Sequence, residues 1–166
     1  MKLNQPAPNF RLNDLDGREY SLADYRGRVV IVNFWSAECP HAARVDENLL
    51  PLLERWDGKV QLLPIASNGN EPLKMLREAA DERGLAPVLH DPDHAAADAY
   101  NATNTPHIFL VDAEGLLQYH GAYDDVALRQ PAATRNYAQE GVEALLNGSK
   151  PQVASVPPFG CTIVRM

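Results

Sequence analysis

Residues 28–44, RVVIVNFWSAECPHAAR, hold the reading that decides the fold. The run Val29-Val30-Ile31-Val32 is apolar at successive positions and continues through Asn33-Phe34-Trp35. Successive apolar residues mean burial on both faces, as in a parallel strand covered by helices. Ser36-Ala37-Glu38 is a polar turn, and Cys39-Pro40 opens a helical pattern. Val45, Leu49, Leu52, Leu53 and Trp56 fall on one face of it, and Gly58 stops it. Pro51 predicts a kink within that helix. The stretch therefore reads as a buried strand, a tight turn, and a helix whose first residues carry a thiol.

A helix start suits a thiolate. Its first N–H groups have no partner inside the helix, and the macrodipole places partial positive charge there. Both favour the ionised sulfur, which is the reactive form. Pro40 fits the first helical position, where its missing N–H is not needed. A protonated His41 adds positive charge, whereas the carboxylate of Glu38 opposes ionisation. The plain alternative is that Cys39 is a small buried hydrophobe. The strand, turn and Cys-Pro helix start together weigh against it.

At 166 residues the chain is sized for one domain with a real core. A net charge of −7, a pI near 5.1 and the lack of a long basic run argue against nucleic acid or an anionic membrane as partner. MKLNQPAPNFRL has no apolar signal core and no stretch reaches membrane-spanning length, so the expected location is cytoplasmic. Two cysteines, Cys39 and Cys161, are too few for a disulfide scaffold. His90 and His94 flank Asp91 and Asp93, but Pro92 breaks the helix that would align them, so no metal is expected. His107 and His120 read as surface or hairpin residues, and His41 as the functional histidine. No cofactor is expected.

The remaining chain alternates strand and helix. Asn9–Leu12 and Arg18–Tyr20 flank a turn at Asp14–Gly17, giving an N-terminal β-hairpin. Ser21 is placed to cap a short helical turn that ends near Gly27. Val60–Ala66 is the next strand. Asn68 or Asn70 is placed to cap a helix with Leu73, Leu76, Ala79 and Ala80 inward and Gly84 beyond its end. Pro87–Leu89 is a short strand, and residues 93–100 a small helix. Ile108–Val111 and Leu116–His120 form an antiparallel pair around the turn Asp112–Gly115. A last helix spans about 134–147. Residues 149–158 hold three prolines and look extended. The tail through Cys161 is expected to fray unless something ties it down. The fold class is thus α/β, a central mixed sheet flanked by helices, with residues 1–148 as the domain and 149–166 as an extended tail.

Phe34-Trp35-Ser36-Ala37-Glu38-Cys39-Pro40-His41-Ala42, followed by Thr105-Pro106 ahead of Ile108–Asp112 and Gly115, resembles the thioredoxin fold. More narrowly it is similar to the redoxin branch, which holds the TlpA-like thiol oxidoreductases and the alkyl hydroperoxide reductase/thiol-specific antioxidant (AhpC/TSA) proteins. The resemblance covers about residues 5–147. The closing Pro158–Ile163, with Tyr123-Asp124-Asp125, is similar to a peroxiredoxin-like group whose members often end in Gly-Cys-x-Ile. Departures stand beside the likeness. Ala42 occupies the place of the second thiol of Cys-x-x-Cys, so Cys39 cannot close a local disulfide. Asn33 stands where thioredoxins have a buried acid. Val32 and Pro106 stand where peroxiredoxins have a proline and an arginine, leaving Arg44, Arg129 or Arg135 to supply a cation in space.

The resemblance implies a thiol-based oxidoreductase in which Cys39 attacks a disulfide or a hydroperoxide. Trp35, Ser36, Glu38, Pro40 and His41 are its motif and substrate-positioning residues. Thr105-Pro106 implies a cis-proline loop that leaves the Thr105 backbone free to pair with an extended substrate. Cys161 is either a resolving thiol, acting within one chain or across a homodimer, or an inert tail cysteine. An external thiol reductant, thioredoxin or glutathione, completes the cycle. The other class of reading is a binding or redox-sensing module that has lost the dithiol and turns nothing over.

Overall fold

The computed structural model describes residues 1–166. The strands are β1 (Arg11–Asp14), β2 (Glu19–Ser21), β3 (Val29–Trp35), β4 (Val60–Ala66), β5 (Leu89–His90), β6 (Asn104–Thr105), β7 (His107–Val111), β8 (Leu117–Gly121), β9 (Ser155–Val156) and β10 (Cys161–Thr162). The α-helices are α1 (Pro40–Arg55), α2 (Leu73–Arg83), α3 (Ala95–Ala99) and α4 (Tyr137–Leu146). Eight strands form one mixed sheet in the order β2-β1-β5-β4-β3-β7-β8-β9, and β10 pairs with β6 in a separate ribbon.

Strand β3 lies inside the sheet, parallel to β4 and antiparallel to β7, and all its residues are buried. Because side chains alternate along a strand, it divides the core in two. Val29, Ile31 and Trp35 pack with Ala42, Val45, Leu49 and Val142 from α1 and α4. Val30, Val32 and Phe34 pack with Phe109, Tyr100 and Ala97 on the opposite face. The apolar run at every position is the sequence signature of this double burial.

Local chemistry sets several element ends. Ser21 caps a short 3-10 turn (Leu22–Tyr25) in a capping box with Asp24. Gly84 ends α2 in the left-handed region at φ 72°. Pro51 lies on the exposed side of α1 and does not end it. The asparagine cap expected for α2 is corrected: Pro72 holds the cap position, and Asn68 bonds Glu71 and the backbone of Val164 instead. Leu73, expected inward, is 46% exposed because the burying face of α2 is Leu76, Ala79 and Ala80. The last helix starts at Tyr137, later than expected, where the Asn136 side chain accepts the Gln139 N–H. No helix is long and apolar enough to cross a membrane.

The tail is tied down. β9 runs parallel to the edge strand β8, and β10 runs antiparallel to β6. The first docking demands glycine at 121. Its φ is +136°, and a Cβ there would lie 1.7 Å from the Val156 carbonyl oxygen.

A polar brace spans the helical layer. The Trp35 indole N–H donates to Asp46 Oδ2 (2.7 Å), and Arg83 Nη1 donates to the same oxygen (3.2 Å). The Arg83 guanidinium also lies 5.2 Å from the Trp35 ring centroid. One carboxylate thus joins β3, α1 and α2. Burial pushes the Asp46 carboxyl up to about 6, although the Trp35 and Arg83 bonds pull against it.

Two outcomes follow from this packing. Gly121→Ala should destabilise the fold by about 1–3 kcal/mol, because β9 must be displaced or strained; urea unfolding measures it. Asp46 holds its proton more tightly in the folded than in the unfolded chain. Its contribution to stability is therefore full below about pH 4, the ordinary range of an aspartate, and is lost as pH rises through about 6. The difference is on the order of 3 kcal/mol, and Asp46→Asn should flatten that part of the stability–pH curve.

Candidate functional site

The turn Ser36–Glu38 delivers the chain from the C-terminal end of β3 into α1, with Cys39 at the N-cap. Ser36 organises it. Its Oγ accepts the N–H groups of Glu38 and Cys39, each at 3.2 Å, and donates to Glu71 Oε2 in a short hydrogen bond. Glu71 Oε1 accepts the Ala37 N–H at 2.9 Å. From the other side Arg83 donates to the carbonyls of Ser36 (3.2 Å) and Ala37 (2.6 Å). A buried anion takes the turn's donors and a guanidinium takes its acceptors, so the turn has no slack.

Cys39 is 2% exposed. Its Sγ lies 3.1 Å from the Thr105 carbonyl oxygen and 2.7 Å from the Sγ of Cys161, and both cysteines are free thiols. The Thr105–Pro106 peptide is cis. Cys161 reaches this point because β10 lies against β6 with Cys161 opposite Thr105 and Thr162 opposite Asn104. No thiol stands at Ala42, and the sulfur beside Cys39 comes instead from Cys161, 122 residues beyond Cys39.

The two sulfurs differ in acidity. Burial works against the Cys39 thiolate, but bonds from the Cys161 thiol, the Ala42 N–H and the Cys161 backbone outweigh it and hold Cys39 below the ordinary thiol value. Cys161 is pushed up to about 11 by burial, by the Cys39 sulfur beside it and by the negative charge of Glu71. Of the two, Cys39 is the more readily ionised.

The other motif residues take distinct places. Pro40 is the first residue of α1. Glu38 is exposed, and only its backbone bonds within the turn. His41 packs edge-on against Phe159 of the tail, with ring centroids 4.9 Å apart. Trp35 is fully buried, so the substrate-positioning role read for it is corrected: it braces α1 through Asp46. The Thr105 backbone, read as free to pair with an extended substrate, is paired with the tail in this structure.

No arginine replaces the one expected of a peroxiredoxin. Arg44 is paired with Asp124 at 2.8 and 3.1 Å, Arg135 with Glu140, and Arg129 is exposed. His107, read as a surface residue, is 5% exposed inside β7, stacks on Phe109, and is lowered by burial to about 4, so its imidazole is neutral. Asn33 is buried with both amide atoms unpartnered. The buried acid of the site is Glu71, delivered by the loop before α2 and not by β3. Sequence reading missed Glu71, Arg83 and Asp46; the one local hint was an Asn-x-x-Glu spacing at 68–71.

A profile of the AhpC/TSA family matches residues 3–120. Thiol-disulfide oxidoreductase ResA of Geobacillus thermodenitrificans is 34% identical over 113 residues, which is 66% of this chain and 63% of that protein. The chain thus spans less than two thirds of this relative's length. Two solved structures run along nearly all of it, tail included. A hypothetical protein from Sinorhizobium meliloti superposes with a TM-score of 0.86 at 29% identity, covering 98% of this chain and 94% of its own. An uncharacterized conserved protein from Geobacillus kaustophilus does so with a TM-score of 0.90 at 25% identity, covering 99% and 93%. With that profile spanning the strand, the turn and the cis-proline loop that enclose Cys39, the chain belongs to the AhpC/TSA family.

Proposed function

We propose that this protein is a thiol–disulfide oxidoreductase that cycles between a Cys39/Cys161 dithiol and a disulfide joining the same two sulfurs. The observation that carries the reading is their 2.7 Å approach. The similarity to ResA, a thiol-disulfide oxidoreductase, supports it. In the first step the Cys39 thiolate attacks one sulfur of a substrate disulfide. A bond forms from Cys39 Sγ to that sulfur, the substrate S–S bond breaks, and the other sulfur leaves as a thiolate. Cys161 then gives up its proton, to the leaving thiolate or to solvent, and attacks Cys39 Sγ. The protein disulfide forms, the mixed S–S bond breaks, and the second substrate sulfur leaves as a thiolate that takes a proton from solvent. The substrate gains two electrons and the protein loses two. An external thiol of the thioredoxin or glutathione class returns them.

A disulfide substrate suits this site better than a hydroperoxide. Peroxide cleavage puts negative charge on a leaving oxygen, and a cation normally stabilises it. Arg44 and Arg135 are both paired with carboxylates elsewhere.

Oxidised glutathione, followed by acid quench and mass spectrometry, tests the reading. The expected product has lost the mass of two hydrogens and yields a peptide pair linked through Cys39 and Cys161. Cys161→Ser should stop at a glutathione adduct on Cys39, and Cys39→Ser should give neither species. The oxidised form should be about 2–4 kcal/mol more stable than the reduced form. Hydroperoxide with the same thiol donor should turn over more slowly than the disulfide. Two free thiols after exposure to either oxidant would mean a module without turnover.

A further inference from the structure

We propose that the tail segment Phe159–Ile163 occupies a peptide-docking groove, and that the protein partner exchanging thiols with Cys39 binds the same groove as an extended strand with glycine immediately before its cysteine. This rests on the thiol reading above and adds to it a partner chemistry and a competitor built into the chain.

The groove is the free edge of β6 beside the cis-proline. The tail meets it as a strand would. Cys161 faces Thr105 and Thr162 faces Asn104 in antiparallel register. The Ile163 N–H donates to the Thr103 carbonyl at 3.0 Å, and Asn104 Nδ2 donates to the Gly160 carbonyl at 3.1 Å. Without the tail these groups form an unpaired strand edge, which is a template for another strand. Cys39 and Thr105 are 2% and 1% exposed with the tail in place, so no extended substrate reaches them until it leaves.

The position before the cysteine is selective. A Cβ at Gly160 would lie 2.1 Å from the Thr105 carbonyl oxygen and 3.0 Å from Pro106 Cδ. The first contact is with backbone that the Cys39 turn holds in place, so any larger residue is rejected there. Two positions after the cysteine, Ile163 enters the core beside the sheet and is 4% exposed. The groove thus reads Gly-Cys-x-Ile, or a similar apolar residue at the last position.

The tail is held loosely enough to be exchanged. The β6–β10 ribbon has two residue pairs, and an isolated ribbon that short is marginal. Ile163 is the one buried side chain between residues 149 and 166. The far end is closed by hydrogen bonds alone: Val164 N–H to Asn68 Oδ1 (2.8 Å), Gly69 N–H to the Val164 carbonyl (2.8 Å), and the exchangeable surface contacts of Arg165 with Asp98 Oδ1 (3.1 Å) and the Ala102 carbonyl (3.0 Å).

Iodoacetamide labelling of Cys39, read by mass spectrometry, tests the proposal in the full chain. Gly160→Ala and Ile163→Ser each loosen the tail and leave Cys39 intact, so a folding failure in one leaves the other. Labelling should rise roughly tenfold or more over the native chain in either variant, as the open fraction increases. A redox-inert peptide, Pro-Phe-Gly-Ser-Thr-Ile-Val, should then protect Cys39, and the same peptide with alanine for glycine should not. Unchanged labelling in the folded variants, equal protection by the two peptides, or protection by neither would overturn the proposal. A small disulfide, oxidised glutathione, separates this from the reading beneath it. If it modifies Cys39 in the loosened variants while the peptides fail to protect, the groove is wrong and the thiol chemistry stands. If it never modifies Cys39, the thiol chemistry itself is wrong.

Discussion

A single buried carboxylate ties the nucleophile's turn to the strand that brings the second thiol. Glu71 accepts the Ala37 N–H and the Ser36 hydroxyl on one side and the Asn68 amide on the other. The carbonyl of that same amide accepts the Val164 N–H. Asn68 therefore relays the position of Glu71 to the tail. Glu71 also lies where its charge bears on Cys161. The network explains why two segments 122 residues apart meet with their sulfurs in contact: both are hydrogen-bonded, directly or through Asn68, to the loop between β4 and α2.

The asymmetry of the thiol pair arises without a cation. Burial raises both thiols, because a buried sulfur loses the solvation that favours its ionised form. What separates them is the direction of hydrogen bonding. Cys39 receives donors from the start of α1 and from Cys161. Cys161 supplies one of those donors and faces the charge of Glu71. On the proposed cycle the sulfur at the helix N-terminus acts as the base and its partner as the acid. This is enough for disulfide exchange, where sulfur leaves as a moderately acidic thiol. It is less suited to peroxide cleavage, where the leaving group is a more basic oxygen.

Much of this was legible in the sequence, and the boundary has a physical cause. β3, the Cys39 turn, α1 and the β7–β8 hairpin follow from periodicities of a few residues, and each is where the pattern placed it. Thr105-Pro106 and Gly-Cys-x-Ile were recognisable as motifs. Their meeting was not, because nothing local in either segment encodes pairing across the fold. Glu71 and Arg83 were missed for the same reason: a charged residue near a helix end usually meets solvent, and only the tertiary fold turns these two onto the backbone of the turn. His107 was misread because a histidine beside a proline looks like a loop residue. The strand carries its ring inward, stacked on Phe109. Leu73 was misread in the other direction: it keeps the helical spacing of Leu76 and Ala80 but is the first residue of α2, where it is left exposed.

Moving the second thiol from the helix to a distant strand changes what oxidation does to the molecule. A disulfide within Cys-x-x-Cys closes one turn of a helix that is already formed, so it restrains the chain little. A bond from Cys39 to Cys161 would close a loop spanning most of the chain, and the entropy removed from the unfolded state grows with loop length. It would also lock β10 onto β6, because Cys161 is itself in that ribbon. In the oxidised form the groove is then covalently filled, and an incoming thiol must attack a disulfide that lies under the tail. In the reduced form Ile163, two residue pairs and hydrogen bonds from Asn68, Gly69, Asn104 and Arg165 hold the tail without a covalent link. Redox state and access to Cys39 are thereby linked through one short strand. That linkage requires Gly160, since a side chain there would hold the strand off the Thr105 carbonyl and part the two sulfurs.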